Sequence, residues 1–135
     1  MSLFSIITPK IETHYLTEDV TIRQALEKFD YHKFSVVPLI AKDGTYLTTV
    51  SEGDILRYIK NQAKFDVEKA EKVKVRSIEK YRPYKACVNN VSDEEIFALA
   101  LEQNFVPVVD DRNMYIGIVK RKDILNMMMG ERNNK

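Results

Sequence analysis

One sequence pattern occurs twice in this chain, and both copies have the same internal spacing. In the first copy, Pro38 lies in a valine-rich segment, and Asp54 stands directly before Ile-Leu. In the second copy, Pro107 lies in a similar segment, and Asp123 again stands directly before Ile-Leu. The distance along the chain from proline to aspartate is identical in the two copies. Repetition of a supersecondary unit indicates that neither copy buries its apolar surface alone, so the chain predicts a duplicated α/β unit.

The first copy predicts helices and strands in a definite order. Residues 17–29 carry apolar side chains at helical spacing, and either Thr17 or Asp19 is available as the N-cap. Residues 34–40 are apolar at nearly every position, which is typical of a strand buried on both faces. An Asp-Gly turn, which needs a positive φ angle, leads into a returning strand at residues 46–50, and a helix follows.

The second copy predicts the same order. Residues 85–88 form a short strand, and Ser92 and Glu95 have the spacing of a capping box at the start of a helix. Residues 105–109 form the second buried strand, and residues 114–119 return after a turn. A final helix follows, so both copies have the same predicted elements.

A charged stretch of alternating sign separates the copies. The predicted boundaries are residues 1–62 for the first repeat, 63–74 for a linker and 75–135 for the second repeat. A short, solvated helix is expected near residues 66–72.

Composition limits the class of protein. Hydrophobic residues make up 44% and charged residues 30% of the chain, as expected of a soluble globular protein. The net charge of +1 gives no general attraction to nucleic acid or to a membrane surface. No apolar run approaches the roughly 20 residues that span a bilayer, and no signal peptide is expected. Cys87 is the single cysteine, which favours a reducing, cytoplasmic location.

Residues with catalytic or metal-binding potential are few. His14 and His32 are well separated along the chain and have no partner at ligand spacing, so no zinc site is expected and both are interpreted as surface or edge residues. The chain contains no CxxC, HExxH, GxSxG or Walker-type loop. We therefore expect no catalytic residues, no metal ligands and no cofactor.

The repeated pattern resembles the cystathionine-β-synthase (CBS) motif, and two motifs in tandem resemble a Bateman module. The residues that carry the resemblance are Val36-Val37-Pro38 with residues 48–54, and Phe105-Val106-Pro107 with residues 117–123. The resemblance implies two β-α-β-β-α repeats related by a pseudo-twofold axis, with their sheets packed face to face. It also implies a homodimer.

The resemblance implies that an adenine nucleotide or another adenosyl compound binds in clefts between the repeats. AMP, ADP, ATP and cyclic di-AMP are the candidate ligands. In the family, the aspartate that matches Asp54 and Asp123 binds the ribose hydroxyls, and a carboxylate suits this role because its two oxygens accept several hydrogen bonds. Ser51 lies at the start of the helix, where its hydroxyl and the N-terminal amides of the helix can contact a phosphate or ribose oxygen.

The same resemblance implies an apolar wall for the adenine. Its members lie in or beside the strands that precede these helices: Tyr15, Val36, Val37, Pro38, Cys87, Phe105, Val106 and Pro107. Cys87 also has a simpler interpretation, as a small apolar residue buried in a strand.

The two predicted sites are unequal. The first has Ser51 but carries Thr48 where the family usually has glycine, whereas the second has Gly117 but carries Lys120 in place of serine or threonine. Lys120 either closes the second site or contacts a phosphate. The better site is expected around Ser51 and Asp54. The alternative for each aspartate is that it only caps its helix.

Three functions follow from these observations. The first is a stand-alone regulatory module that binds an adenosyl ligand and signals to a partner protein. The second is a ligand-independent dimerisation or docking module whose clefts are vestigial. The third, an enzyme, has the least support because no nucleophile and base can be paired from the sequence.

Overall fold

A computed structural model describes residues 3–133 of the chain, with side chains through residue 130. The strands are β1 Thr8–Pro9, β2 Leu16–Thr17, β3 Val36–Ile40, β4 Tyr46–Ser51, β5 Cys87–Val88, β6 Phe105–Val109 and β7 Tyr115–Lys120. The α-helices are α1 Ile22–His32, α2 Glu52–Lys60, α3 Val67–Lys72, α4 Asp93–Glu102 and α5 Arg121–Asn133. Each repeat has one small mixed sheet with helices, which confirms the predicted α/β class.

The described chain divides into two compact units that do not coincide with the sequence repeats. One unit is His14–Pro83, and the other combines Met1–Thr13 with Tyr84–Lys135. The N-terminal segment therefore belongs with the second repeat, and the segment after α2 belongs with the first. This division groups residues by contact, whereas the boundaries 1–62, 63–74 and 75–135 remain a prediction about the repeats.

The His14–Pro83 unit has a three-stranded sheet in the order β2-β3-β4. Strand β2 is parallel to β3, and β3 is antiparallel to β4. Gly44 in the connecting turn has a φ of 94°, which confirms the predicted positive-φ position. The core consists of Leu16, Val20, Ile22, Ala25, Phe29, Val37, Leu39, Val50, Ile55, Val75 and Ile78.

The N-cap of α1 is Thr21, so the prediction of Thr17 or Asp19 was wrong. The Thr21 hydroxyl accepts a hydrogen bond from the Gln24 amide, and the Gln24 side chain accepts one from the Thr21 amide. Thr17 is unavailable because it ends β2, and Asp19 instead forms ion pairs with Lys42 and Lys74. The helix begins at Ile22, which is the first residue of the apolar pattern, so only the predicted cap was misplaced.

The segment after α2 is part of the core of this unit. The predicted short helix is confirmed as α3, whose N-cap Asp66 accepts a hydrogen bond from the amide of Lys69. Beyond it, the Ile22 amide donates to the Val73 carbonyl, and the Val75 amide donates to the Val20 carbonyl. These backbone bonds position the following residues, which reach the first turn of α2.

The other unit has a four-stranded sheet in the order β1-β7-β6-β5. Strand β1 is antiparallel to β7, and the predicted cap Ser92 accepts a hydrogen bond from the amide of Glu95 at the start of α4. The core consists of Leu3, Cys87, Val91, Ile96, Ala100, Val106, Val108, Val119 and Ile124.

Gly117 is required where β1 pairs with β7. Its φ is +155°, and a Cβ at this position would lie 2.2 Å from the carbonyl oxygen of Thr8. The equivalent residue in the first repeat, Thr48, lies on β4, which is an edge strand of its sheet among the described residues. The difference between Thr48 and Gly117 therefore has a structural cause, because only β7 is paired along this edge.

Within residues 3–133, none of the helices combines the length and apolar character that crossing a bilayer requires.

Candidate functional site

Asp54 lies in the first turn of α2 and is buried, with 4% of its surface exposed. The Ser51 hydroxyl accepts a hydrogen bond from the Asp54 amide at 3.1 Å. In return, Asp54 Oδ2 accepts one from the Ser51 amide at 2.9 Å. This reciprocal pair is a capping box. The predicted capping role of Asp54 therefore accounts for one of its two carboxylate oxygens, Oδ2.

The other carboxylate oxygen of Asp54 accepts two hydrogen bonds. Arg57 Nη2 lies 2.7 Å from Oδ1, and the backbone amide of Tyr81 lies 2.9 Å from the same atom. A buried carboxylate is costly unless it is paired with charges and donors. These contacts stabilise the Asp54 carboxylate without any ligand.

Arg57 has a second partner in the aromatic ring of Tyr81. Its guanidinium carbon lies 4.6 Å from the ring centroid, and that of Arg82 lies 5.4 Å from the same centroid. Both distances are within the range of cation–π attraction. The Arg57 side chain nevertheless keeps 48% of its surface exposed.

Lys80 lies near Asp54 but is held by the backbone. Its ammonium donates to the carbonyls of Val75 at 2.8 Å and Arg76 at 3.0 Å. Burial lowers the pKa of Lys80, the negative charge of Asp54 opposes this change, and the positive charge of Arg76 adds to it. Lys80 is therefore a fixed part of the segment that lies beside Asp54.

A pocket of about 290 Å³ opens between one face of α2 and the segment that follows α3. It is near the lower end of the range, roughly 300–1,000 Å³, that small-molecule sites occupy. Its lining combines charged and amide side chains with two aromatic rings: Asp54, Arg57, Tyr58, Asn61, Gln62, Glu79 and Tyr81. Such a lining suits a small polar ligand with an aromatic part.

Asp123 lies in the equivalent turn of α5, but its surroundings differ. It is half-buried, and within the part of the chain that the structure describes its carboxylate has no hydrogen bond or ion pair. The residue in the place of Arg57 is Asn126, which is neutral. Asp123 therefore presents an available carboxylate, whereas Asp54 does not.

Three basic residues, Lys120, Arg121 and Lys122, directly precede Asp123 and form a basic run whose members have different surroundings. Arg121 Nε donates to the Ala100 carbonyl at 2.7 Å, which places its positive charge at the C-terminal end of α4, where the helix dipole favours cations. Lys120 and Lys122 are exposed. Only these two lysines of the run are left for an anion.

The predicted apolar wall separates into buried and accessible residues. Val37, Pro38, Cys87, Val106 and Pro107 are buried, while Tyr15, Val36 and Phe105 are half-buried. The strand register places Val36 opposite Ser51, and it places Phe105 opposite Lys120. Val36 and Phe105 thus lie at equivalent places, each beside the start of a helix.

Aromatic neighbours extend this surface beyond the predicted residues. The Tyr84 ring contacts that of Phe105 edge-to-face at 4.9 Å. In the other unit, the exposed rings of His14 and His32 are 4.1 Å apart, and both contact Phe34. The surface location expected for the two histidines is confirmed, but their mutual contact was not predicted.

Arg57 and Tyr81 are the site residues that sequence reasoning missed. Arg57 follows Asp54 at the i,i+3 spacing that brings helical side chains together, so their ion pair could have been predicted from the sequence. Tyr81 reaches Asp54 through its backbone amide from 27 residues away. No residue pattern signals such a contact.

Comparison with known proteins gives one family. A family model described as the CBS domain matches residues 5–61 and 90–130. No curated protein sequence matches the chain significantly.

Several solved structures are similar in fold. CbpB from Listeria monocytogenes, in complex with c-di-AMP, has a TM-score of 0.82 and 20% identity, covering 98% of each chain. CBSX2 from Arabidopsis thaliana has a TM-score of 0.76 and 22% identity, covering 99% of this chain and 98% of the other. CBSX2 in complex with AMP has a TM-score of 0.71 and 20% identity, covering 96% and 97%.

Proposed function

This chain belongs to the CBS domain family, and from that premise we propose that it is a regulatory module that binds an adenosyl nucleotide. The observation that carries the proposal is the equivalent placement of Asp54 and Asp123. Each carboxylate lies in the first turn of a helix that directly follows a strand. The residue directly before each helix is paired with a half-buried apolar residue at the start of the neighbouring strand, Val36 or Phe105.

The chemistry of these positions suits a nucleoside. A carboxylate accepts hydrogen bonds from both hydroxyls of a ribose, because its two oxygens offer about four lone-pair directions. The free amides of a helix N-terminus favour a nearby phosphate. Val36 and Phe105 provide apolar surface for the base, while the buried residues Val37 and Val106 belong to the cores of the two units.

The similar structures support the adenosyl class of ligand. One of them is a CbpB protein in complex with c-di-AMP, and another is a CBSX2 protein in complex with AMP. Both ligands contain adenosine, so we propose that the shared adenosine is what this chain recognises. AMP, ADP, ATP and c-di-AMP are the ligands to test.

We propose that the two sites fill in sequence. Asp123 has no internal partner within the described residues and is half-buried, so a diol reaches it directly. At Asp54, one of the internal hydrogen bonds to the carboxylate must break before the ribose hydroxyls can bind there. The Asp123 site therefore fills at lower ligand concentration than the Asp54 site, and Lys120 contributes positive charge for a phosphate there.

Thermal melts with the four nucleotides test this function. The wild type is compared with Asp54→Asn and Asp123→Asn, and with Glu52→Gln as a control that changes an exposed acid in the first turn of α2. Each variant is referred to its own ligand-free melting temperature, because Asp54→Asn alters native hydrogen bonds. A ligand at 100 times its Kd stabilises the fold by about 2.7 kcal/mol.

We expect a shift with at least one nucleotide, a smaller shift in Asp123→Asn and an unchanged shift in Glu52→Gln. No shift with any of the four would contradict the function.

A docking role is the second candidate, and exposed apolar side chains on helices favour it. Leu101 on α4 is 77% exposed, and Leu56 on α2 is 59% exposed. We propose that such residues mediate a homodimer and contact a regulated partner protein in the cytoplasm. Sedimentation equilibrium of Leu101→Glu and Leu56→Glu tests self-association, with Lys60→Glu as an exposed control. A wild-type monomer would contradict the dimer.

A further inference from the structure

We propose that Arg57 makes the Asp54 site selective for ligands that carry a phosphate. In the ligand-free protein Arg57 neutralises the Asp54 carboxylate. When a ribose takes that carboxylate, the guanidinium moves to the phosphate of the same ligand. This inference rests on the proposed adenosyl function, and it adds a residue that determines specificity.

The hydrogen bonds of Asp54 show why Arg57 must move. The two carboxylate oxygens accept three internal bonds, from the Ser51 amide, the Tyr81 amide and the Arg57 side chain. A carboxylate offers about four lone-pair directions, so a diol that contacts both oxygens has to replace at least one internal donor.

Arg57 is the donor that is free to leave. The Ser51 amide belongs to the capping box, and the Tyr81 amide belongs to a backbone segment that follows two buried residues, Val75 and Ile78. The Arg57 side chain is 48% exposed and has no other hydrogen bond among the described residues. Its movement needs only a rotation of side-chain torsions, because the helix backbone stays in place.

The displaced guanidinium stays near the ligand. Arg57 lines the 290 Å³ pocket, and its second contact is the ring of Tyr81, which lines the same pocket. A guanidinium binds phosphate through two parallel hydrogen bonds, which a single ammonium does not reproduce. The exchange also keeps the charges balanced, because the diol satisfies the carboxylate while the phosphate pairs with Arg57.

Arg57 has no substitute in this pocket. Of the described residues that line it, Arg57 is the one with a positive charge, and Glu79 adds a second negative charge. Lys80 is close to Asp54 but donates to two backbone carbonyls. A ligand phosphate in this pocket therefore depends on Arg57.

The experiment measures the Kd of adenosine and of AMP by calorimetry. All variants of the full chain carry Asp123→Asn, so that binding reports on the Asp54 site. The test variant adds Arg57→Ala. The control adds Lys60→Ala, which removes an exposed cation from the same helix outside the pocket lining.

The expected result is a crossing pattern. With Arg57 present, AMP binds about tenfold more tightly than adenosine, as a charge-assisted contact implies. Arg57→Ala weakens AMP binding and strengthens adenosine binding, so the two Kd values converge. Lys60→Ala leaves both values unchanged. If Arg57→Ala weakens both ligands equally, or leaves the preference for AMP intact, the proposal is wrong.

Pyrophosphate serves as a second probe that separates this proposal from the adenosyl function. The wild type, in which Asp123 is intact, is titrated alongside the variants. If neither the wild type nor any variant binds adenosine or AMP, but pyrophosphate binds and Arg57→Ala abolishes that binding, the adenosyl function fails and the phosphate role of Arg57 stands. If pyrophosphate, adenosine and AMP all fail to bind to the Asp123→Asn variants, the Arg57 proposal is wrong; only the same failure in the wild type also contradicts the adenosyl function.

Discussion

Arg57 donates a 2.7 Å hydrogen bond to Asp54 within α2, while the aspartate at the equivalent place in α5, Asp123, has no such partner among the described residues. The two copies of the motif thus place the same residue type in the same turn with different contacts. Asp54 has a structural role that Asp123 lacks, and the difference is measurable without a ligand.

Asp54→Ala is expected to lower the free energy of unfolding by about 2–3 kcal/mol. The change removes the capping box and the ion pair, and it leaves the amides of Ser51 and Tyr81 without their acceptor. Asp123→Ala is the matched control, with an expected loss below about 1 kcal/mol because no contact is removed. Urea denaturation measures both, and equal losses would contradict the assigned contacts.

Two glycines provide a test of the fold. Gly117→Ala is expected to destabilise the chain by about 2–4 kcal/mol, because φ is +155° and the new Cβ would lie 2.2 Å from the Thr8 carbonyl oxygen. At Gly53, in the first turn of α2, a Cβ would have its nearest neighbours at 3.6 Å. Gly53→Ala is therefore expected to stabilise the helix by up to about 1 kcal/mol.

The measurement is thermal or urea denaturation of both variants. If Gly117→Ala were as stable as the wild type, the pairing of β1 with β7 would be contradicted.

Cys87 is expected to be unreactive in the folded chain. Burial raises the pKa of its thiol to about 12, with a smaller contribution from the negative charge of Glu95, so little thiolate forms near neutral pH. Alkylation by iodoacetamide at pH 8 should be slow in the native protein and fast in urea. Rapid alkylation of the native protein would contradict the buried position.

The raised pKa of the Cys87 thiol also makes the stability of the fold depend on pH in the alkaline range. The pKa is raised from 9.0 to about 12 on folding, so between these values the unfolded chain loses a proton that the folded chain retains. The contribution of Cys87 to stability is therefore complete below pH 9 and is lost as the pH rises towards 12. Cys87→Ala should remove this component from the pH dependence, and an unchanged profile in the variant would argue against it.

The repeated spacing allowed much of the fold to be predicted. The equal distance from proline to aspartate located both buried strands and the first turns of α2 and α5, because local hydrophobic patterns determine these elements. The pairing of Thr8–Pro9 with β7 was not predicted, since so short a strand carries no pattern of its own. Gly117 matches a glycine of the family pattern, but the need for glycine there comes from the neighbouring backbone of Thr8.

The candidate site was predicted less completely than the fold. Ser51, Asp54, Val36 and Phe105 follow from the repeat, whereas the Tyr81 amide comes from a separate segment. The sequence favoured Asp54 as the better ligand position because Ser51 accompanies it. The contacts show that Ser51 and Asp54 are already bonded to each other, which is a property of their geometry and not of their residue types.

Binding at Asp54 and Asp123 is tested most directly by a calorimetric titration of AMP and of c-di-AMP into the wild type and the double variant Asp54→Asn/Asp123→Asn. We expect saturable binding of at least one of these ligands to the wild type, and its loss in the double variant. Glu52→Gln should bind as the wild type does. Absence of saturable binding to the wild type, or equal binding to the double variant, would contradict the claim that these two aspartates form adenosyl-binding sites.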